Sequence, residues 1–223
     1  MRVLVPEILD HLAADDPRAT RSRRDLARIN WVMRQSAIMA TALSGFPAPR
    51  TIVDLGGGDG RFLLSVARRL VNRWPRVTCL VADQQDIVGA QTRAGFVALG
   101  WSCEVARGDI FQTLPHLSPD IVTANLFLHH FDDVMLARLL ALVAQRARGF
   151  AACEPRRSGF ALLASHLVFA LGANDVTRHD AVASVRAGFR AKELSKLWPQ
   201  DRGWRLDEHG SFPFTHVLKA HAV

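Results

Sequence analysis

The sequence predicts an α/β fold: a mostly parallel sheet of seven strands with helices on both faces and an antiparallel hairpin at one edge. Short apolar runs alternate with helical patterns from Arg50 onward, and a cluster of glycines follows the first run. The last two strand-like runs have no helix between them. Because 223 residues suffice for one buried core, we expect one domain with an N-terminal appendage.

Residues 1–48 are predicted to form an N-terminal helical cap ahead of the domain at 49–223. Asp16 can cap a helix, and Pro17 suits its first turn. Apolar residues then recur at helical spacing through ARINWVMRQSAIMATAL until Gly45. We therefore predict one continuous helix over this stretch.

The repeated strand and helix patterns follow in order. Five apolar runs are predicted to be parallel strands: TIVDL, VTCLVAD, SCEVARGD, DIVTANLFL and GFAACE. Helices between them are predicted in GRFLLSVARRLVNRW, QDIVGAQTRAGFVALG and DDVMLARLLALVAQRARG. After Glu154 the alternation ends, and RRSGFALLASHLVFALG and DAVASVRAGFRAKELSKLW each predict a helix. WRLDEH and FTHVLKAHA then predict the antiparallel edge pair.

Composition narrows the classes of partner and compartment. The net charge is +7, but no aromatic residues interleave with the arginines as in a stacking platform for nucleic acid, so a nucleic-acid partner is disfavoured. The charge equally suits an anionic cofactor or substrate. The three cysteines are widely spaced and predict buried thiols in a reducing compartment. The N-terminus lacks a secretory signal and no apolar stretch reaches about 20 residues, so we predict a soluble cytoplasmic protein.

The stretch IVDLGGGDGRF has four glycines in five positions, which indicates a tight turn, a positive φ or the close approach of a ligand to the main chain. In a parallel sheet, the first turn from strand to helix is the usual place for a ligand. A phosphate-binding Walker loop would end in GK[ST], but Gly60 is followed by Arg61 and Phe62. A dinucleotide site would need G-x-G-x-x-G, which no register completes, and carboxylates at Asp54 and Asp59 suit an amine-bearing ligand better than a pyrophosphate.

VDLGGGDG resembles the first motif of the class I S-adenosylmethionine-dependent methyltransferases, [VI]DxGxGxG. The second and third predicted strands are each followed by an acid, and the fourth predicted strand ends in the segment ANLFLHHFDD. These positions match the family's later motifs. The resemblance covers residues 48–221 and implies the family's Rossmann-like fold. It also implies S-adenosyl-L-methionine as cofactor, S-adenosyl-L-homocysteine as product, and a substrate cover at residues 156–179.

The same resemblance implies which residues bind the cofactor. Asp83 matches the carboxylate that accepts the ribose hydroxyls, and Asp109 matches the residue that binds the adenine amino group. The implied set is Asp54, Gly56, Gly57, Gly58, Gly60, Asp83, Gln84, Asp109, Ile110 and Asn125.

The methyl acceptor is predicted to be a small molecule with an aromatic or polyketide-like hydroxyl or carbon. The [DN]PP[FYW] motif of nucleic-acid amino-methylating members is absent, since Asn125 is followed by Leu126 and Phe127. LFLHHFDD is similar instead to the LHDW[SD]D segment of small-molecule O-methyltransferases, which implies His129 as the general base. The sequence leaves open whether His129 is a base or a structural residue. Residues 16–30 and 179–194 are similar to compact bacterial methyltransferases of secondary metabolism.

Other readings stay open at this point. A methyltransferase acting on RNA or another macromolecule, or a regulator that binds the cofactor without turnover, would keep the same loop. No metal site is predicted, because Asp132 and Asp133 are equally explained as helix caps. The oligomeric state, monomer or homodimer, is open as well.

Overall fold

A computed structural model describes residues 1–13, 15–200 and 203–223. One seven-stranded sheet has the order β3-β2-β1-β4-β5-β7-β6. Its strands are β1 Thr51–Leu55, β2 Thr78–Asp83, β3 Ser102–Arg107, β4 Ile121–Asn125, β5 Gly149–Pro155, β6 Trp204–Ser211 and β7 Thr215–Ala222. The first five strands pair in parallel, while β7 runs antiparallel to both β5 and β6. The predicted mostly parallel sheet with an edge hairpin is confirmed.

Helices lie before, between and after the strands. Those in the described residues are α1 Pro17–Val32, α2 Gln35–Leu43, α3 Arg61–Leu70, α4 Ala90–Ala98, α5 Ile110–Thr113, α6 Asp133–Arg146, α7 Gly159–His166, α8 Asp175–Ala187 and α9 Glu193–Leu197. They pack on the sheet through two apolar clusters. One contains Leu136, Leu139 and Leu140 of α6, and the other contains Leu63 of α3 with Met39 of α2. Both faces of the sheet are therefore covered, as the apolar strands require.

The N-terminal helix differs from the prediction of one continuous helix. α1 ends at Val32 and α2 begins at Gln35, because Arg34 between them has a φ of 56°. A left-handed residue ends an α-helix, and here it is an arginine without the usual glycine or asparagine signal. Asp16 caps α1 as predicted, with its carboxylate accepting the amide of Arg18. In the described part of residues 1–48, the predicted continuous helix is thus two α-helices, α1 and α2, with a left-handed residue between them.

The two helices predicted after β5 are also shorter than expected. In 156–172, α7 covers only Gly159–His166, and a 3-10 turn follows at Val168–Leu171. In 180–198, the helical region begins earlier, at Asp175, and breaks after Ala187. Phe189 is fully buried and its amide bonds to the carbonyl of Pro155, so tertiary packing takes the chain out of the helix there.

The cysteines lie on strands as predicted, with free thiols. Cys79 and Cys153 are fully buried, whereas Cys103 on the edge strand β3 is only half-buried, so the prediction of three buried thiols was wrong for that residue. In the part of the chain that the structure describes, every helix is too short or too polar to cross a bilayer.

Candidate active site

The glycine loop turns from β1 into α3 at the carboxyl edge of the sheet. Gly56 has a φ of 62°, and an added Cβ would collide with the ring of Phe127 after β4. Gly58 and Gly60 also have positive φ values, of 55° and 72°. At Gly58, an added Cβ would meet no described atom within 4 Å. The loop therefore needs glycine for its backbone shape and presents open main chain at Gly58.

Asp83 at the end of β2 lies directly against this loop. One carboxylate oxygen accepts the amide of Gly58 at 3.0 Å, and the other accepts the amide of Gln85 at 3.0 Å. A carboxylate has about four acceptor sites, so both oxygens retain capacity for donors of a ligand. The structure thus joins the loop and the predicted ribose-binding carboxylate.

Asp109 follows β3 and caps the short helix α5. One of its oxygens accepts the amide of Phe111 at 2.9 Å, and the side chain is exposed. Ile110, next to it, is 8% exposed and belongs to the apolar cluster beneath the edge. Gln84, predicted alongside these, is exposed directly after Asp83. Asp83 and Asp109 lie at the ends of adjacent strands, and the amide of Gly108 bonds to the Asp83 carbonyl at 3.0 Å.

Asp54 lies beneath the loop. Its carboxyl is 1% exposed and accepts the hydroxyl of Thr123 at 2.7 Å. A Cβ at Gly57 would come within 2.8 Å of the other oxygen. Burial, with the nearby charge of Asp83, raises the pKa of Asp54 to about 7, against the lowering effect of the Thr123 hydrogen bond. The structure places this carboxyl as a support for the loop, with the main chain of Gly57 between it and the outer surface of the loop.

Asn125 ends β4 on the other side of β1. Its side-chain Oδ1 is buried with no hydrogen-bond partner among the described residues. The next residue, Leu126, has a φ of 53° and donates its amide to the carbonyl of Cys153 at 2.9 Å. A strained residue and an unpaired buried acceptor in succession are more typical of a ligand site than of a simple connection.

The chain then forms a 3-10 turn, Leu128–His130, that carries His129. If strand geometry persisted past Asn125, successive side chains would alternate faces, and His130 would point away from His129. The strand ends at Asn125, so the alternation does not continue, and the two imidazole rings lie with centroids 4.3 Å apart. The ring of Phe127 packs under Gly56, which ties this turn to the glycine loop.

Glu154 on β5 organises the turn. It is fully buried, and its Oε1 accepts the amides of Phe127 at 3.0 Å and Leu128 at 2.9 Å. Its Oε2 lies 2.7 Å from Nδ1 of His129. The carboxylate therefore fixes the ring orientation and holds a proton on Nδ1. Nε2 then points away from Glu154 and can contact a group on the other side of the ring.

Nε2 of His129 faces Glu7 from the N-terminal segment, with 3.1 Å between Nε2 and Oε1. Burial alone would lower the pKa of His129, but the hydrogen bonds to Glu154 and Glu7 and their charges raise it to about 9. For Glu7, burial acts to raise the pKa, and the hydrogen bond and charge of His129 bring it below its ordinary value. The ring is thus an imidazolium between two carboxylates at neutral pH.

The same place has a possible metal-ligand geometry. Donor atoms of Glu7, His129 and His130 lie within 4.8 Å of one another. However, 3.1 Å between Nε2 and Oε1 is the distance of a direct hydrogen bond, and the proton accounts for the contact.

Glu154 and Glu7 were missed at the sequence level. The sequence did contain a signal for Glu154, because it is an acid at the end of an otherwise apolar predicted strand. This strand, β5, pairs with β4, the strand that precedes His129. Glu7 is 122 positions from His129, and no local pattern connects the two residues.

Comparison with known proteins identifies the family to which the chain belongs. A family model described as the O-methyltransferase domain matches residues 8–170. Eugenol O-methyltransferase of Ocimum basilicum is 32% identical over 92 residues, which cover 41% of this chain and 22% of that protein. The matched part is thus well under a third of that relative's length.

Two solved structures share the fold. An O-methyltransferase family protein from Burkholderia thailandensis superposes with a TM-score of 0.61 at 21% identity, over 94% of this chain and 61% of that chain. The plantazolicin methyltransferase BpumL, in complex with a desmethyl analogue and S-adenosylhomocysteine, gives a TM-score of 0.65 at 13% identity, over 93% and 91% of the two chains. The fold is that of the class I methyltransferases, and because the family model spans most of the sequence, the chain belongs to the O-methyltransferase domain family.

Proposed function

We propose that this chain transfers a methyl group from S-adenosylmethionine to a hydroxyl oxygen of a small molecule. The observation that carries the proposal is the turn after β4, which touches the glycine loop through Phe127 and presents His129, held by Glu154, two residues later. A cofactor loop and a proton-handling group therefore lie side by side. Family membership and the named O-methyltransferase relative support the same activity.

The residues present fit the proposed cofactor. Asp83 has free acceptor capacity for a pair of hydroxyls, and Gly58 leaves the main chain open where a ligand would approach. The buried, unpaired Oδ1 of Asn125 suits a donor such as an ammonium group. Asp109 at the next strand end keeps one oxygen for an amino group. When bound, the cofactor supplies a methyl group on a positively charged sulfur, which is a good leaving group.

The protein's own part is positioning and proton handling. In-line displacement depends strongly on alignment, so residues that hold the two reactants supply much of the acceleration. His129 faces the acceptor side with Nε2: as imidazole it accepts the proton of a hydroxyl, and as imidazolium it pairs with an oxyanion. Glu154 acts through His129 as a positioning residue, because its Oε2 binds Nδ1 and its Oε1 binds the turn.

Transfer of a radiolabelled methyl group to a panel of phenols, enols and aromatic carboxylates tests the proposal. His129→Ala should lower kcat by about 10²- to 10⁴-fold, the usual range for acid–base catalysis, and leave the affinity for S-adenosylhomocysteine nearly unchanged. His116→Ala, which removes an exposed histidine outside this site, is the control and should keep wild-type turnover. Binding of S-adenosylhomocysteine with no transfer to any acceptor would favour a cofactor-binding regulator instead.

A further inference from the structure

Residues 1–11, here called the strap, lie against α8 and the turn that carries His129. Arg2 anchors one end: its guanidinium bonds to the carbonyls of Ala187 and Phe131, pairs with Asp133 at 2.8 Å and lies 4.3 Å above the ring of Phe189. These contacts bury all but 9% of the Arg2 side chain. The first residues of the chain are thus a built part of the fold.

Asp180 of α8 anchors the other end of the strap. Its two carboxylate oxygens accept the amides of Ile8 at 2.8 Å and Leu9 at 3.0 Å. Asp180 is 4% exposed, so this pair of bonds is protected from water. Glu7 comes just before this anchor, and Ser184 on the same helix donates its hydroxyl to Oε1 of Glu7.

Both ring nitrogens of His129 consequently face carboxylate oxygens, Glu154 at Nδ1 and Glu7 at Nε2. A hydrogen bond from each nitrogen requires a proton on each, which makes the ring a cation. The other groups nearby are His130, whose ring lies 4.3 Å away and whose Nδ1 is 3.3 Å from Asp10, and Arg2, whose Nη2 is 3.3 Å from the backbone oxygen of His129. None of these replaces Glu7 at Nε2.

We propose that Glu7 stands where the reacting oxygen of the acceptor binds, and that this position takes the acceptor as an oxyanion, a phenolate, enolate or carboxylate, in exchange for Glu7. The observation behind it is an anionic oxygen held 3.1 Å from Nε2 at the one ring atom that faces away from Glu154. The role of the oxyanion in methyl transfer rests on the proposed function, whereas its binding to His129 does not.

The exchange conserves protons and charge. The acceptor loses its hydroxyl proton to solvent, its oxyanion replaces the Glu7 carboxylate, and His129 keeps both N–H groups. In transfer, the bond between methyl carbon and sulfur breaks with its electron pair remaining on sulfur, and the oxyanion forms the new bond to the methyl carbon. Two anions cannot share one N–H at low cost, so Glu7 has to leave while the strap anchors at Arg2 and Asp180 remain.

The preference among acceptors follows from this charge. Electron-poor phenols and carboxylic acids ionise readily and should bind better than alkyl alcohols, whose ionisation is too costly. For these acceptors His129 contributes as the imidazolium that stabilises the ionised form of the acceptor beside the cofactor, and no base other than His129 is needed.

Glu7→Ala tests the proposal without any natural acceptor, because it opens a carboxylate-sized gap at Nε2. The probes are formate and acetate, and the readout is the pH titration of His129 followed by NMR on histidine-labelled protein. We expect His129 to titrate at lower pH in Glu7→Ala than in the wild type. Formate should raise the titration of His129 in Glu7→Ala back towards that of the wild type, and should not change it in the wild type. Asp10→Asn is the matched control, because it removes the strap carboxylate that pairs with His130. The titration of His129 in this variant should be the same as in the wild type.

4-Nitrophenol provides a second readout through the absorption of its phenolate. Glu7→Ala and the isosteric Glu7→Gln should bind it as phenolate about tenfold or more tightly than the wild type, since a competing charged hydrogen bond is gone. Circular dichroism verifies that each variant is folded.

Unchanged titration of His129 in Glu7→Ala, or formate without effect on it, would overturn the proposal. So would stoichiometric zinc binding to the wild type that Glu7→Gln abolishes, because the cluster would then be a metal site. If formate rescue succeeds and no phenol is methylated, the oxyanion position stands and the proposed function fails. If a phenol is methylated but formate does not rescue the titration, the proposed function stands and the oxyanion position fails.

Discussion

Replacing His129 with glutamine should remove one contribution to the pH dependence of the unfolding free energy, the part that comes from the raised pKa of His129. In the folded chain the pKa of His129 is about 9, against 6.5 for an ordinary histidine. At about 1.36 kcal/mol per pKa unit, the difference corresponds to roughly 3 kcal/mol of unfolding free energy. A raised pKa stabilises the fold fully below the unfolded value, and this stabilisation is lost as the pH rises from about 6.5 through about 9.

The assay is guanidinium denaturation of the wild type and His129→Gln at a series of pH values. Contributions of groups other than His129 are common to both proteins and cancel in the difference of unfolding free energies. That difference should fall by roughly 3 kcal/mol between about pH 6 and about pH 10. An NMR titration of His129 gives the same pKa without a variant. A difference that stays flat with pH, or a His129 that titrates near 6.5, would refute the imidazolium between two carboxylates.

Three further outcomes are expected. Asp83→Ala should lose about 2 to 4 kcal/mol of binding free energy for S-adenosylhomocysteine by calorimetry, and equal affinity would remove the ribose assignment. Gly56→Ala should destabilise the fold by about 1 to 3 kcal/mol because of its positive φ and the Phe127 ring, whereas Gly89→Ala, with a φ of −72° and open space, should cost less than about 1 kcal/mol in the same denaturation assay. Arg2→Ala should speed amide exchange at Ile8 and Leu9 by about tenfold or more, and unchanged protection there would show that Arg2 does not hold the strap.

The sheet could be predicted because its signals are local. Each strand is a short apolar run, each intervening helix repeats at i, i+3 and i+4, and the two final runs lack a helix between them. The breaks in the helices could not be predicted this way. At Arg34 the backbone is left-handed without a glycine, and at Phe189 burial against β5 overrides helix propensity.

The glycine loop and Asp83 could also be predicted from the sequence. The carboxyl ends of parallel strands meet at one edge of the sheet, so residues that follow these strands lie close together whatever contacts their side chains make. The surroundings of His129 were not. They depend on a 3-10 turn that begins after Asn125, on Glu154 reaching across from β5, and on Glu7 arriving from the other end of the chain. Sequence reasoning named the histidine as a neutral general base or a structural residue, and did not predict the cation that its two carboxylate partners produce.

That charge changes what the histidine can do. A buried carboxylate such as Glu154 is costly unless it is fully bonded, and here three backbone amides of the turn and the His129 ring share it. The arrangement makes a free base at Nδ1 impossible and leaves Nε2 as the only ring atom open to exchange. With Glu7 present, Nε2 carries a proton and attracts anions, and once Glu7 has left, the state of Nε2 depends on what replaces it. The first seven residues therefore belong to the chemistry of the site as much as the motif after β4 does, and variants that alter the strap should change acceptor binding before they change cofactor binding.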